Sequence, residues 1–413
     1  MTAAQLLASI LAAVLLQAAA GLAWALWRRN SGLAAAPARS PAPATRPDAA
    51  WSGWREFRVG RREYEDPARS QCSFHLHPVD GQALPAFRPG QFLVFELELP
   101  RTGRGEPGGS RTLTRCYSLS DAPDPGHYRI TVKRVPAPAD RAELEPGLSS
   151  NHFHDRVQVG DVLRVKAPSG HFFLDPDPDV PAVLIGGGIG VTPVMSMLRW
   201  SLERQPQRTI HFYYGVRNGA EHAFKAQLEE LAARHPALRL NVVYSRPREQ
   251  DEPGRDYQHR GHVDVDLLRR TLPHGRHQFY VCGPAAMMQT LVPALAEWGV
   301  PLSDLRYEAF GPASVRLPGA APAPGAASAA FEVRFARSGR TLAWDGGDAS
   351  LLEFAQRHGV EVESGCRSGG CGSCETRLLE GSVHYEHRPD HDVAAGCCLL
   401  CVGKPASSLV LEA

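Results

Sequence analysis

The hydrophobic pattern changes character several times along the chain. Residues 1–27 hold no charged side chain, and the apolar run Leu6–Trp27 is followed at once by Arg28 and Arg29. As a helix such a run is long enough to cross about 30 Å of hydrocarbon. Trp24 and Trp27 stand where an interfacial belt would lie, and the two arginines place the remainder of the chain on the cytoplasmic side. The expectation is a transmembrane anchor over 1–30, single-pass in the inner (cytoplasmic) membrane with cytoplasmic catalytic domains. A cleaved signal peptide would want a basic start, and Met1–Gln5 has none. Residues 31–50, with Pro37, Pro41, Pro43 and Pro47, read as a semi-rigid Ala/Pro tether.

From Trp51 the pattern takes a strand period. FLVFELEL (92–99) and HYRITVKR (127–134) are punctuated by Pro and Gly, which predicts a small antiparallel β-barrel over 51–175. Near Val180 it changes again. PAVLIGGGIGVTPVMSMLRWSL reads as a buried strand, a glycine turn and a helix. RTIHFYYGV (208–216), LRLNVVYS (238–245) and HQFYVCGP (277–284) are further strands, with a helix around 222–235. Alternation of this kind predicts an α/β domain with a parallel sheet over 176–311. A second Ala/Pro/Gly linker spans 312–330, and a last domain runs from 331 to 413.

Composition narrows little. Hydrophobic content of 43% and charged content of 22% are those of ordinary globular protein, and a net charge of +1 argues against a nucleic-acid role.

The cysteines change the picture. Cys366-x4-Cys371-x2-Cys374 (CRSGGCGSC), with a further cysteine at Cys401, has the spacing of a plant-type [2Fe–2S] site. Gly365, Gly369, Gly370 and Gly372 let a loop wrap tightly and aim backbone N–H groups at sulfur. Zinc more often takes two separated C-x2-C pairs, and a cytosolic domain holds no disulfides. The fourth ligand lies among Cys397, Cys398 and Cys401. The stretch AAGCCLLCVGKPASSLVLEA resembles the closing segment of plant-type ferredoxins, which implies Cys401 and a β-grasp α+β fold, with Cys397 and Cys398 as small buried residues.

Gly186-Gly187-Gly188-Ile189-Gly190 sits between strand and helix, where backbone N–H groups can hold a pyrophosphate. Val191 occupies the place of a third Rossmann glycine, so this is not GxGxxG. A tight turn alone would explain the glycines. The following Thr192-Pro193, and Cys282-Gly283-Pro284 at a later strand end, favour a nucleotide.

Together with Arg115-Cys116-Tyr117-Ser118, these motifs resemble the ferredoxin–NADP⁺ reductase superfamily. The resemblance covers nearly the whole chain beyond residue 50. It implies that Arg115 pairs with a flavin phosphate while Tyr117 and Ser118 lie along the ring. Thr131, Val132 and Lys133 would run beside the flavin. Gly147, Ser149 and Ser150 in GLSSN would receive a pyrophosphate, which favours FAD over FMN, although a Pro-rich insertion precedes Gly147. Gly187, Gly188, Gly190, Thr192, Pro193, Gly283 and Pro284 would hold the nicotinamide nucleotide. Cys282, Glu308 and Phe310 would stand at the hydride path. Ser245 and Arg246 fall where relatives bind a 2′-phosphate, yet no adenine-stacking tyrosine is clear and His262 stands near that place. The reading leans to NADH over NADPH. His75/His77, His152/His154 and His384/His387/His391 read as surface or loop groups without a metal.

The expected protein is therefore an NAD(P)H:acceptor oxidoreductase similar to reductase components of multicomponent oxygenases. Electrons would pass from NAD(P)H through flavin and the [2Fe–2S] cluster to a redox acceptor protein. The preferred acceptor is a membrane oxygenase or hydroxylase. A soluble acceptor such as a hybrid-cluster-type protein, or a non-catalytic redox sensor, are the alternatives. The sodium-pumping NADH:quinone reductase flavin subunit is disfavoured, because there the cluster domain precedes the barrel.

Overall fold

A computed structural model describes residues 5, 51–100, 110–137, 146–310, 331–365, 367, 369–385, 389, 391 and 393–413. The chain divides into the units Met1–Ala49 and Ala50–Ala413, and of the first only Gln5 is described. The second unit is built in three parts.

The first part is a six-stranded antiparallel sheet of β1 (Arg55–Tyr64), β2 (Gln71–Pro78), β3 (Phe92–Pro100), β4 (Ser110–Ser118), β5 (Tyr128–Lys133) and β6 (Val162–Ser169), in the order β4-β3-β6-β1-β2-β5. A bridge between Leu119 and Ile130 joins the two outer strands and closes the barrel. Strand alternation decides which side chains go in: Phe57 and Val59 are buried while Glu56 and Arg58 between and beside them are exposed. A helix, α1 (Leu148–Asp155), plugs one end with Phe153. That ring meets Phe74, Phe95 and Tyr117 edge-on, at centroid distances of 5.2, 5.5 and 4.9 Å.

The second part is a six-stranded parallel sheet, β10-β9-β8-β7-β11-β12, from β7 (Ala182–Gly187), β8 (Ile210–Val216), β9 (Leu238–Tyr244), β10 (His259–Arg260), β11 (Gln278–Gly283) and β12 (Leu305–Ala309). Helices α2 (Val191–Arg204), α3 (Lys225–Arg234), α4 (Val265–Thr271) and α5 (Ala285–Glu297) flank it. Leu184, Phe212, Tyr214 and Tyr280 face one core, and Val183, Ile185, Tyr213 and Val281 the other. Burial on both faces explains why these strands read as continuous apolar runs rather than alternations. The order reverses between β7 and β11, the place where such sheets bind ligands.

The third part has β13 (Phe331–Phe335), β14 (Arg340–Trp344), β15 (Glu375–Glu380), β17 (Cys397–Leu399) and β19 (Leu409–Leu411) in a five-stranded sheet, order β14-β13-β19-β15-β17. A β16–β18 pair (Val383–Tyr385, Gly403–Pro405) and α6 (Leu351–Arg357) complete it.

One expectation is corrected. Among the described residues no helix is long and apolar enough to cross a membrane. The longest, α2, has 14 residues and spans about 21 Å against the ~30 Å of a hydrocarbon core. The run Leu6–Trp27 and both linkers, 31–50 and 312–330, lie outside the described residues. The expected fold class thus stands for its three domains, while no described helix supports its transmembrane span. The inner-membrane placement and the membrane partner are likewise without support from any described helix.

Candidate functional site

The glycine turn and the CGP motif, about ninety residues apart in sequence, meet at the switch point. Register pairs Gly186 with Cys282, and Cys282 in turn with Glu308. A Cβ on Gly190 would lie 2.2 Å from the Cys282 carbonyl oxygen, and one on Gly187 2.9 Å from Pro284 Cδ. No side chain fits at Gly190, so the turn after β7 passes directly over the end of β11. Gly188 adopts φ +53°, the left-handed region that favours glycine. Gly190 caps α2 without a side-chain hydrogen bond, and Thr192 Oγ1 donates to the Ile189 carbonyl at 3.0 Å. The first turn of α2 is therefore uncapped by any side chain, an arrangement suited to a pyrophosphate. Pro193 sits in that first turn, where its missing N–H costs nothing.

Cys282 is fully buried, and burial pushes its thiol well up, with the Glu308 carboxylate adding to the effect. A thiol so held does not ionise near neutrality. Phe310, at the exit of β12, is exposed. Ser245 and Arg246 follow β9. Their amides donate to the carbonyls of Val216 and Arg217 at 3.0 and 2.8 Å, and the Arg246 side chain lies on the surface. Nearby Arg217 is paired with Glu221 at 2.9 Å and Arg248 with Asp251 at 3.0 Å. His262 is exposed.

In the barrel, Tyr117 Oη and Ser149 Oγ lie 2.7 Å apart, which joins β4 to the GLSSN turn. Burial pushes the Tyr117 hydroxyl up to about 12, so it remains protonated. Gly147 precedes α1 without a side-chain cap, and Ser150 Oγ donates to its carbonyl at 3.2 Å. Ser118 is buried in register with Phe92. Arg115 Nη1 donates to Thr114 O at 2.8 Å and to Ser364 O, in the cluster domain, at 3.3 Å. The Thr131 hydroxyl is buried between Ser73 and Ser120, 2.8 Å from each. Val132 packs in the barrel core, and Lys133 Nζ reaches Glu221 at 3.0 Å. The side chain of 132 thus faces the barrel interior, while that of 131 is held by barrel hydroxyls and that of 133 reaches the nucleotide domain.

Of the expected cluster ligands, Cys366 lies outside the described residues. Cys371, Cys374 and Cys401 are buried, 2%, 2% and 8% exposed. The Cys401 N–H donates to Cys374 Sγ at 3.4 Å, and the Ser373 N–H to Cys371 Sγ at 3.5 Å. A Cβ on Gly365 would lie 2.7 Å from Cys371 Sγ, so that glycine makes room for sulfur. Among the described residues no three His, Cys, Asp or Glu side chains converge as a metal site. Buried thiols receiving backbone N–H groups are nonetheless a donor set that fits an iron–sulfur cluster. Cys398 is buried as expected, with burial pushing its thiol up to about 12, whereas Cys397 is half-buried.

Several of these histidines have local partners. His75 pairs with Glu63 at 3.0 Å, and both it and His77 stack against the His127 ring. His154 bonds the Val132 carbonyl at 2.9 Å. His391 was missed as a neighbour of the cluster loop. It pairs with Glu375 at 2.6 Å, and its ring fills the space a Gly372 side chain would need. Lys166 was missed too: its Nζ donates to the Cys371 carbonyl at 3.1 Å. Nothing in VLRVKAPS distinguishes that lysine from a solvated strand residue.

Known families account for each part. Residues 77–174 match the oxidoreductase FAD-binding domain, 184–292 the oxidoreductase NAD-binding domain and 333–406 the 2Fe-2S iron-sulfur cluster binding domain. The FAD/NAD-binding domain of a nitric oxide dioxygenase from Vibrio cholerae superposes with a TM-score of 0.54 at 33% identity, over 63% of this chain and 100% of that one. The chain belongs to the ferredoxin–NADP⁺ reductase superfamily. It is a flavin and iron–sulfur oxidoreductase whose cofactors are FAD, a [2Fe–2S] cluster and NAD(P)H. This reductase also resembles phthalate dioxygenase reductase, described as modular for electron transfer from pyridine nucleotides to [2Fe–2S]. That likeness has a TM-score of 0.50 at 26% identity, over 87% of this chain and 98% of that one. A flavohemoprotein of Chromobacterium violaceum is 42% identical over 269 residues, 65% of this chain. The reductase spans 63% of that relative's own length.

Proposed function

We propose that this reductase takes hydride from NADH at the β7/β11 switch point and delivers single electrons to an oxygenase component. Bound FAD converts a two-electron donor into one-electron steps that the cluster can carry. The chain's own residues do the positioning. Gly187, Gly188 and Gly190 with the first turn of α2 hold the dinucleotide phosphates, Thr192 and Pro193 fix that turn, and Gly283 and Pro284 form its opposite wall. Tyr117, Ser118, Ser149 and Ser150 hold the flavin, with Gly147 opening its phosphate turn. Thr131 and Val132 stiffen the wall behind the flavin, and Lys133 ties that wall to the nucleotide domain. Cys282, Glu308 and Phe310 line the hydride path as shape and polarity, without acid–base work. Cys366, Cys371, Cys374 and Cys401 ligate the cluster.

One observation carries the reading. Cys371 shares an apolar cluster with Phe92, Val94 and Cys116, on the strand pair whose β4 also bears Arg115 and Tyr117. The proposed ligand loop and the proposed flavin strand are in contact. The reading leans to NADH because Arg217 and Arg248, beside the exit of β9, are already ion-paired and so meet a 2′-phosphate only at the expense of Glu221 and Asp251. The proposed boundaries are 51–175, 176–311 and 331–413. An oxygenase acceptor is supported by the likeness to phthalate dioxygenase reductase.

An anaerobic NADH titration of the full chain, followed by visible absorbance and low-temperature EPR, tests this. Flavin bleaching with a rhombic reduced-cluster signal is expected. Bleaching by NADPH alone would reverse the nucleotide assignment, and reduction by neither would sink the reading.

A further inference from the structure

The cluster loop does not merely lie near the barrel; it occupies a seat. Lys166, on β6, donates from Nζ to the Cys371 carbonyl at 3.1 Å. The same ammonium lies 5.0 Å from the centroid of the Trp54 ring, with the Arg164 guanidinium 5.6 Å from it. Trp54 is half-buried in the apolar cluster of Phe92, Val94, Cys116 and Cys371. Next to that contact, on the same barrel-facing side of the loop, a Cβ on Gly370 would lie 3.1 Å from Phe92 Cζ and 3.3 Å from Ser169 Oγ. The loop therefore approaches the barrel backbone-first, through a glycine, and a charged donor meets the carbonyl of a cysteine proposed to bind iron.

We propose that Trp54 and Lys166 form a barrel-side latch that seats the cluster loop and tunes the cluster it carries, Lys166 acting as a positioning residue. The inference rests on the reading of Cys371 as a ligand. The chemistry has two parts. An ammonium beside the ligand backbone favours the more negative, reduced state of a cluster, because charge and hydrogen bonds near the sulfurs set its potential. A charge-assisted hydrogen bond also holds the loop against Phe92, and with it the short gap to β4. Trp54 aligns the lysine by cation–π contact and shields it from water.

The test uses the full chain loaded with flavin and cluster, in wild type, K166M, K166R and W54L. In K166M we expect a more negative cluster midpoint potential and altered g-values of the reduced-cluster EPR signal. Cluster reduction after NADH addition should slow about tenfold, the scale of one lost hydrogen bond to a charged group. K166R should restore the potential, which a merely structural lesion would not allow, and W54L should shift it in the direction of K166M by less. A wild-type signal that K166M leaves unchanged in potential and g-values overturns the latch alone. A wild-type chain with no reduced-cluster signal overturns the ligand reading and the latch with it.

Discussion

Gly190 illustrates how much a missing side chain decides. The Cys282 carbonyl stands where its Cβ would be, so Gly190→Ala must move backbone rather than a pliant side-chain tip. Overpacking of this kind costs roughly 1–3 kcal/mol. A lower urea midpoint and a raised KM for NADH are expected, with flavin content kept. His211 supplies a pH effect. It is 5% exposed, and burial, helped by His277 and Arg239, lowers it from 6.5 to about 4. The unfolded chain takes up this proton first, so the contribution is complete above about pH 6.5 and is lost as pH falls toward 4. Urea midpoints measured across that window should decline, and His211→Leu should flatten the decline. Unchanged slopes would refute the assignment.

Elements carry the next lessons. Tyr117→Phe removes the bond between β4 and α1, worth about 1 kcal/mol, and should raise flavin loss roughly fivefold by fluorescence of released flavin. Between β17 and β18, Cys401→Ser should abolish the visible cluster spectrum while Cys398→Ser keeps it, since Cys398 is a buried strand residue paired with Thr376. Most elements were legible: the strand at 92–99 is Phe92–Pro100, and the helix around 222–235 is Lys225–Arg234. Their periods reflect one-sided burial in the barrel and two-sided burial in the parallel sheet. What sequence could not give was register and facing. Alternation separates Thr131 from Val132 but does not say which turns to the barrel core. Nor does spacing bring Glu308 beside Cys282, a matter of how β11 and β12 pair. Lys166 and Arg115 meet the cluster domain about two hundred residues later in sequence, contacts with no local signature.

At the scale of the molecule, the barrel and the parallel sheet are joined by buried charge. Arg129, 3% exposed, stacks over Phe224 at 5.2 Å and faces Asp121 at 3.4 Å. Asp121 also pairs with Arg199 at 2.5 Å, and its carbonyl accepts from Ser196 Oγ at 2.7 Å. Asp121→Asn would leave two guanidinium groups facing a neutral amide. A loss of about 3 kcal/mol is expected, measurable by chemical denaturation. Lys133–Glu221 and the Gln71 bond to the Glu221 carbonyl extend the same seam. Its consequence is one of inheritance and engineering. Because Asp121 and Arg129 belong to the barrel while Arg199, Ser196 and the lid Phe224 belong to the nucleotide half, exchanging either half for a stranger's takes from Arg199 its carboxylate or from Arg129 its aromatic lid. Grafts that carry both halves together should fold at first attempt, and grafts that cut between them should need compensating changes at these positions.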